Sequence, residues 1–179
     1  MHLRIRTEAS PDFPAIYDLV AAAFEHKAEA NLVNAIRESS NYIPELSLVA
    51  EIDGHVRGHV MISWVTLRSA GTELPVPLLA PLAVAPPHQR QGIGGELTRR
   101  ACAAADAMQL PMVLLEGDPG YYGRFGFEPA SEHGIELPLP DWAPREAGQI
   151  LTLAAYDPGL VGTVAYPAYF AEAEAEREG

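Results

Sequence analysis

A short polar turn between an apolar run and an amphipathic segment carries the residues of this chain best suited to chemistry. Leu82-Ala83-Val84 is followed by Gln89-Arg90-Gln91-Gly92-Ile93-Gly94-Gly95, a pattern that predicts a strand, a turn and a helix beginning near Gly92. The first N–H groups of a helix have no partner within the helix and, with the helix dipole, they attract anions. Because the glycines let an anion approach the backbone and Arg90 adds positive charge, the turn is predicted to bind a di- or polyphosphate.

Three phosphate-binding motifs compete for this turn. A P-loop needs a lysine after its last glycine, and the only lysine of the chain is Lys27. A dinucleotide fingerprint that starts at Gly92 needs a glycine at position 97, where this chain has Leu97. The third motif, Gln/Arg-x-x-Gly-x-Gly/Ala, is matched by Gln89, Gly92 and Gly94.

This third motif resembles the turn that holds the coenzyme A pyrophosphate in the GNAT acetyltransferase superfamily. The run from Ala80 to Phe127 is similar to the YhbS-like branch of predicted N-acetyltransferases, which pairs a Gly-Ile-Gly turn with a later segment, here Gly117-Asp118-Pro119-Gly120-Tyr121-Tyr122-Gly123-Arg124-Phe125-Gly126-Phe127. The resemblance implies the GNAT fold, an α/β (α+β) arrangement with a mixed central sheet of about six to seven strands flanked by helices. It also implies acetyl-CoA as the cosubstrate.

The resemblance assigns roles to individual residues. Tyr122 is the implied general acid toward the coenzyme A thiolate, and the implied cofactor-binding residues lie in two groups. Backbone groups toward the pantetheine arm come from Leu82, Ala83 and Val84, and the pyrophosphate turn is Gln89, Arg90, Gln91, Gly92, Ile93, Gly94 and Gly95. Many relatives carry Asn-x-x-Ala ahead of the tyrosine, whereas this chain has Leu115 and Asp118 at those positions. No metal site is expected, because no Cys/His cluster has metal-ligand spacing.

A general base must deprotonate the amine, and the sequence leaves this residue open. Glu116, at the end of an apolar run, is the first candidate, and a water chain could serve instead. The alternatives are Asp118, His88 and Glu73. His55 and His59 alternate on a strand and are predicted to be exposed strand residues. The acceptor site is expected between the first two helices, the strand at 55–68 and the loop at 128–148, where Trp142 would either cover the substrate or pack on the surface.

The elements that must position these residues follow the order β-α-α-β-β-β-α-β-α-β. Ser10-Pro11 predicts a helix start with Ser10 as N-cap, and Asp53-Gly54 between alternating runs predicts a β-hairpin with a type I′ turn. The predicted strands cover 3–8, 46–52, 55–64, 75–85, 110–116 and 150–156, and the predicted helices cover 10–24, 28–38, 92–108 and a turn at 119–124. Residues 128–148 are predicted to be a loop. We expect a single GNAT domain over 1–170 and an acidic C-terminal tail over 171–179.

Composition limits the function classes. The chain has 179 residues, is 48% hydrophobic and carries a net charge of -12, so no basic stripe is present for nucleic acid. A negative field is compatible with a cationic acceptor such as an amine. No apolar run approaches the roughly 20 residues of a membrane span and the N-terminus lacks a signal peptide pattern, so a cytoplasmic protein is expected. Cys102 is the only cysteine and is predicted to be a small buried side chain.

Three functional hypotheses from different classes follow. The first is an N-acetyltransferase that moves the acetyl group of acetyl-CoA to a primary amine of a small molecule or peptide by direct attack in a ternary complex. The alternative is a non-catalytic acyl-CoA-binding sensor or interaction module, which needs the glycine turn but not Tyr122. A nucleotide-binding α/β protein is a third hypothesis. A homodimer is also compatible with the sequence.

Overall fold

The computed structural model describes residues 1–179, which form nine β-strands and five α-helices with intervening 3-10 turns. In chain order the elements are β1 Leu3–Thr7, α1 Phe13–Phe24, α2 Ala28–Glu38, β2 Tyr42–Ile52, β3 His55–Ser69, β4 Thr72–Val84, α3 Ile93–Ala107, β5 Met112–Glu116, α4 Pro119–Tyr122, β6 Glu128–Pro129, β7 Ile135–Glu136, β8 Gly148–Thr152, β9 Gly162–Ala165 and α5 Ala168–Glu178. None of the helices is both long and apolar enough to cross a membrane.

The first of two compact units comprises Met1–Ser63, Ala80–Ala104 and Ala168–Gly179. β1 pairs antiparallel with β2, and β2 pairs antiparallel with β3 through the Asp53-Gly54 turn. The apolar faces of α1, α2 and α5 cover this part of the sheet because their small and branched side chains recur at helical spacing. The buried residues of this cluster are Ile16, Leu19, Val20, Ala28, Ala30, Leu32, Val33, Ile36, Val49, Met61, Ala83, Ala85 and Ala173.

The second unit comprises Trp64–Leu79 and Ala105–Pro167. The first half of β4 pairs with β5 in parallel, with Leu78 opposite Leu114. β5 pairs antiparallel with β8, and β8 pairs antiparallel with β6. β9 lies antiparallel to the end of β3 and parallel to β7. Met112–Leu115 are all buried, which explains why this strand is almost wholly apolar.

Most of the predicted elements are confirmed. α2 has the predicted bounds, and both turn residues of the β2–β3 hairpin have positive φ, 49° at Asp53 and 83° at Gly54, as a type I′ turn requires. The mixed sheet with flanking helices is also confirmed. A second turn of the same kind at Ala70-Gly71, with φ of 45° and 82°, joins β3 to β4, so both strands are longer than predicted.

Several boundaries were wrong. Ser10 does not cap α1, because Ser10–Asp12 form a 3-10 turn in which the Asp12 carboxylate accepts the Ala9 N–H at 2.8 Å. β8 covers Gly148–Thr152, so the predicted strand at 150–156 began and ended too late. The stretch at 128–148 contains the short strands β6 and β7, and β9 was not predicted. α5 begins at Ala168 and buries Ala173.

Candidate functional site

Two residues of the turn before α3 have a left-handed backbone conformation. Arg90 has a φ of 59° and Gly92 a φ of 85°, a left-handed conformation in which glycine is favoured. A Cβ added at Gly92 would have no atom within 4 Å, so the space beside this residue is open. Within α3 the Glu96 N–H donates to the Gly92 carbonyl at 3.0 Å, and the amides of residues 93–95 precede this first helical bond. These amides are therefore the ones that a bound anion would use.

The two glutamines of the turn shape it from within. Gln89 donates from Nε2 to the Val84 carbonyl at 3.0 Å, and Gln91 donates from Nε2 to the Pro87 carbonyl at 3.3 Å. These bonds tie the turn to the end of β4 and to the 3-10 turn Pro86–His88. Both side-chain amides therefore hold the loop itself, while Arg90 is exposed at its tip.

The first turn of α3 is seated closely on β3. Ile93 and Leu97 are buried, and a Cβ at Gly58 would lie 2.9 Å from Leu97 Cδ1 and 3.2 Å from Ile93 Cγ2. The side chain of Ile93 therefore belongs to the core, and only its backbone N–H can serve the predicted cofactor role. This close contact fixes where the N-terminus of α3 points.

The strand segment ahead of the turn also lies in the first unit. Ala83 is buried, Leu82 and Val84 are half-buried, and the Ala80-Pro81 peptide bond is cis. Beyond the strand end, the Ala85 N–H donates to the Arg57 carbonyl of β3 at 2.8 Å. The cofactor-binding residues predicted from Leu82 to Gly95 thus lie on one continuous segment with its own internal bonds.

The two predicted catalytic residues lie together in the second unit, around Gly117. A Cβ at Gly117 would lie 2.5 Å from Cε2 of Tyr122, so the tyrosine ring rests against this backbone position. Asp118 caps α4 by accepting the Gly120 N–H at 2.9 Å, and the Tyr122 N–H donates to the Asp118 carbonyl at 3.0 Å. Glu116 is the residue before Gly117 and is exposed at the end of β5.

Aromatic rings complete the environment of Tyr122. Its ring meets Tyr121 edge-on at 4.8 Å between centroids and Phe127 at 5.8 Å, and Phe125 lies at 6.4 Å. Such edge-to-face contacts favour one ring orientation. The Tyr121 ring instead carries the Arg124 guanidinium, whose Cζ lies 4.5 Å from the ring centroid.

The backbone around Glu116 is held by β8 and by the residue that precedes it. Glu116 faces Gly148 of β8, and the next residue, Gly117, donates its N–H to the Ala147 carbonyl at 3.0 Å and accepts from Gln149 Nε2 at 2.9 Å. Burial first, and then the neighbouring Glu116 carboxylate, raise the pKa of the Tyr166 phenol far above its usual value.

Two of the three alternative bases have other roles, and His88 is half-buried in the 3-10 turn Pro86–His88. Asp118 is the N-cap of α4, and Glu73 forms an exposed ion pair with Arg68 at 3.0 Å. His55 is exposed, as predicted, but the prediction for His59 was wrong, since its side chain is fully buried.

Cys102 is buried, as predicted, and burial raises the pKa of its thiol to about 12. Trp142 is 85% exposed.

A buried polar cluster in the first unit was not predicted from the sequence. The Glu8 carboxylate accepts from Arg37 Nη2 at 2.7 Å, from Tyr42 at 2.7 Å and from His59 Nε2 at 3.0 Å. The Glu8 and His59 side chains are fully buried. Strand alternation alone gives no signal for this cluster, because Glu8 directly follows β1 while its partners come from α2, β2 and β3.

Comparison with known proteins shows the family of this chain. The Acetyltransferase (GNAT) domain family matches residues 4–130. The uncharacterized N-acetyltransferase YhbS of Escherichia coli K12 is 36% identical over 169 residues, which is 93% of this chain and 97% of the relative. The uncharacterized N-acetyltransferase YjhQ of the same strain is 34% identical over 140 residues, 78% of this chain and 75% of the relative. The chain therefore belongs to the GNAT acetyltransferase family.

Two solved structures resemble the whole chain. The crystal structure of Escherichia coli YhbS in complex with CoA has a TM-score of 0.85 at 34% identity, covering 96% of this chain and 93% of that chain. A GNAT family acetyltransferase of Brucella melitensis, in complex with acetyl-CoA, has a TM-score of 0.74 at 33% identity, covering 94% of this chain and 98% of that chain. The GNAT fold inferred from the sequence is confirmed, and membership of this family makes the chain an acyltransferase.

Proposed function

We propose that this chain transfers the acetyl group of acetyl-CoA to a primary amine of a small molecule or peptide, by direct attack in a ternary complex. The observation that carries the proposal is the turn at 89–95, whose open left-handed backbone leads into the N-terminus of a helix seated on β3. The CoA and acetyl-CoA complexes of the two similar structures support the same cosubstrate for this chain.

The turn supplies the affinity for the cosubstrate. A pyrophosphate carries several negative charges and many acceptor oxygens, which suit the amides of residues 93–95 and the Arg90 guanidinium. The backbone of Leu82–Val84 would bind the amide-bearing pantetheine arm as an added strand. In this assignment Gln89 and Gln91 contribute by holding the loop, since their side-chain amides donate to Val84 and Pro87 carbonyls.

The chemistry follows from the chain's own groups. The neutral amine nitrogen attacks the thioester carbonyl carbon, and the Val84 N–H is the candidate donor to the oxyanion that develops. Glu116 takes a proton from the amine nitrogen. When the carbon–sulfur bond breaks, Tyr122 gives its phenolic proton to the departing thiolate, and the products are the amide and coenzyme A. A thiol of pKa about 8.5 is a fair leaving group, and a phenol of pKa about 10 can protonate it within a hydrogen bond.

Tyr122→Phe tests the catalytic part of the proposal. The ring and its edge-on contacts remain while the proton is lost, so we expect kcat to fall by roughly 10²-fold with little change in coenzyme A affinity. The measurement is coenzyme A release from acetyl-CoA with a panel of amines that contains a polyamine, an aminoglycoside, a lysine peptide and a peptide with a free N-terminus. Coenzyme A binding without turnover of any amine would favour the non-catalytic module.

Gly94→Glu tests the anion site. A carboxylate in the first turn of α3 adds both bulk and negative charge where the pyrophosphate is expected, so the thermal shift given by coenzyme A should disappear. In the wild type a ligand at 100 times its Kd adds about 2.7 kcal/mol to the free energy of unfolding. ATP and NAD serve as comparison ligands. A larger thermal shift with ATP or NAD than with coenzyme A would favour the nucleotide-binding hypothesis.

A further inference from the structure

Arg57 of β3 is a half-buried arginine whose guanidinium has no ion-pair or hydrogen-bond partner. The chain carries 24 Asp and Glu residues and only 12 Lys and Arg residues, so acidic partners are abundant. Most of the other arginines form ion pairs with them. Because a charge that is partly removed from water is unfavourable without a partner, an anionic ligand would complete the environment of this guanidinium.

A β-bulge sets Arg57 apart from the alternation of its strand. Ala50 of β2 is opposite Gly58 of β3. The next residue of β2, Glu51, is opposite Val56, so Arg57 is the extra residue of the bulge. A bulge of this kind re-aims the side chain relative to the pleat of the sheet. The Glu51 carboxylate is paired with an arginine of β1 at 3.0 Å, so the residue opposite the bulge does not neutralise Arg57.

The backbone of Arg57 is tied to the segment that leads into the turn at 89–95. Its carbonyl accepts the Ala85 N–H at 2.8 Å, and the Ala85 carbonyl accepts the His88 N–H at 2.8 Å. The next residue of β3, Gly58, is the one on which the first turn of α3 is seated. Arg57 is therefore linked on one side to the start of the turn and on the other side to the helix that follows it.

The cosubstrate has a phosphate group to which the turn assigns no residue. In the proposed function, the amides of residues 93–95 and the Arg90 guanidinium bind the pyrophosphate. Coenzyme A carries one more phosphate, a monoester on the 3′ oxygen of its ribose, which bears close to two negative charges at neutral pH because its second pKa is about 6. A guanidinium suits such a group, since it offers parallel N–H donors to two phosphate oxygens.

We propose that Arg57 binds the ribose 3′-phosphate of the cosubstrate and makes the enzyme prefer acetyl-CoA to its 3′-dephospho form. The inference rests on the proposed function, which supplies the cosubstrate and the place of its pyrophosphate. It adds to the binding site a residue of β3 that lies outside the turn. The 3′-phosphate takes no part in the chemistry, so this contact is equally strong in the ground state and the transition state, and it acts on KM alone.

The central test compares coenzyme A with 3′-dephospho-coenzyme A as ligands, by isothermal titration calorimetry of the wild type and of Arg57→Gln. The wild type should bind coenzyme A with a Kd about 10- to 100-fold lower than the Kd for the dephospho form, as expected for a hydrogen bond between charged groups. Arg57→Gln should weaken coenzyme A binding by the same factor. It should leave the affinity for the dephospho form unchanged.

Arg4→Gln is the matched control. Arg4 also lies on a strand of the first unit and also lacks a partner, but its side chain is exposed on β1. Its substitution removes the same charge from the chain and so measures the effect of net charge alone. Both affinities should stay as in the wild type.

Arg57→Lys keeps the proposal testable if the glutamine variant does not fold. The lysine keeps the positive charge and an apolar stem but loses the fork of N–H donors, so it should retain only part of the preference for coenzyme A. Urea denaturation without ligand verifies that each variant is folded. A full wild-type preference in both Arg57→Gln and Arg57→Lys would overturn the proposal.

Steady-state kinetics give an independent readout with the most active amine of the panel. In Arg57→Gln the KM for acetyl-CoA should rise about 10- to 100-fold while kcat keeps its wild-type value. Equal losses of affinity for both ligands in Arg57→Gln, or a wild type that binds both ligands equally, would overturn the assignment of Arg57 and leave the acetyl transfer in place. A wild type that neither binds coenzyme A nor transfers acetyl groups would instead remove the proposed function.

Discussion

The Tyr122 ring rests against a glycine of its own segment. Position 117 has no Cβ, and the ring occupies the space that one would take. The same segment caps α4 through Asp118, so a single run of residues places the ring and fixes its helix. The glycine in this segment is therefore explained by the tyrosine that follows it five positions later.

Gly117→Ala should displace the Tyr122 ring. The new methyl group would lie 2.5 Å from Cε2, closer than van der Waals contact permits, so the ring must move. A displacement of about 1 Å at a reacting group costs on the order of 10²-fold in rate, so kcat should approach that of Tyr122→Phe. The control is Gly123→Ala, because a Cβ there would have no atom within 4 Å. Equal steady-state rates for the two variants would contradict this account of Gly117.

Sequence motifs select candidate residues within short runs, but they give no signal for contacts between residues that are distant in the chain. Gln89, Gly92 and Tyr122 lie within short runs whose spacing is specific, so resemblance to a family suffices to select them. His59 was predicted to be exposed, but its hydrogen-bond partner Glu8 lies 51 residues away in the chain, so only the fold brings the two side chains together. Pairwise contacts of this kind have no local pattern, which is why the buried cluster was not predicted.

At the scale of elements, local chemistry predicts what is long and regular. The β2–β3 hairpin follows from its Asp-Gly turn, and α2 follows from its apolar spacing. β9 has only four residues and begins at Gly162, where a Cβ would lie 2.1 Å from the Arg68 carbonyl oxygen. Its formation depends on pairing with the distant end of β3 and with β7, and no periodicity within four residues can reveal such pairing.

The Glu8 cluster connects elements that are far apart in the chain. Arg37, in the last turn of α2, bonds the Glu8 carboxylate through Nε at 2.9 Å and through Nη2 at 2.7 Å. Its guanidinium also lies 3.9 Å from the centroid of the Phe13 ring in α1. The fork geometry satisfies both carboxylate oxygens within a buried setting. The cluster therefore fixes α2 against the end of β1.

Arg37→Met should destabilise the fold strongly. The substitution keeps an apolar stem over Phe13 but leaves the buried Glu8 carboxylate without its cation, so we expect a loss of about 3–5 kcal/mol in the free energy of unfolding, measured by urea denaturation. Arg68→Met is the matched control, because the Arg68–Glu73 pair is largely exposed and contributes about 0–1 kcal/mol. A loss at Arg37 no larger than that at Arg68 would show that the cluster does not hold α2.

At the scale of the whole molecule, the same cluster makes the folded state sensitive to acid. Burial lowers the pKa of His59, although the adjacent Glu8 opposes this shift. The hydrogen-bond geometry of His59 also disfavours its protonated form. Nε2 faces Glu8 and Ser47, whereas Nδ1 is buried without a partner and would lack an acceptor if protonated. Burial would raise the pKa of Glu8, but the bonds from Arg37, His59 and Tyr42 outweigh it and hold that pKa well below its usual range.

Stability should therefore fall as the pH is lowered, in two stages. Between its lowered folded pKa and its unfolded pKa of about 6.5, His59 binds more protons in the unfolded state, so the free energy of unfolding decreases by up to about 2 kcal/mol from pH 7 to pH 5. The folded pKa of Glu8 is also lowered, so below its unfolded pKa of about 4.3 the unfolded state again binds more protons, and the free energy of unfolding decreases further. Urea midpoints at pH 8, 7, 6 and 5 measure the first stage. His59→Gln should flatten it, whereas His55→Gln, on the exposed start of the same strand, should leave it as in the wild type. An equally steep fall in the His59→Gln protein would place the acid-sensitive group elsewhere in the molecule.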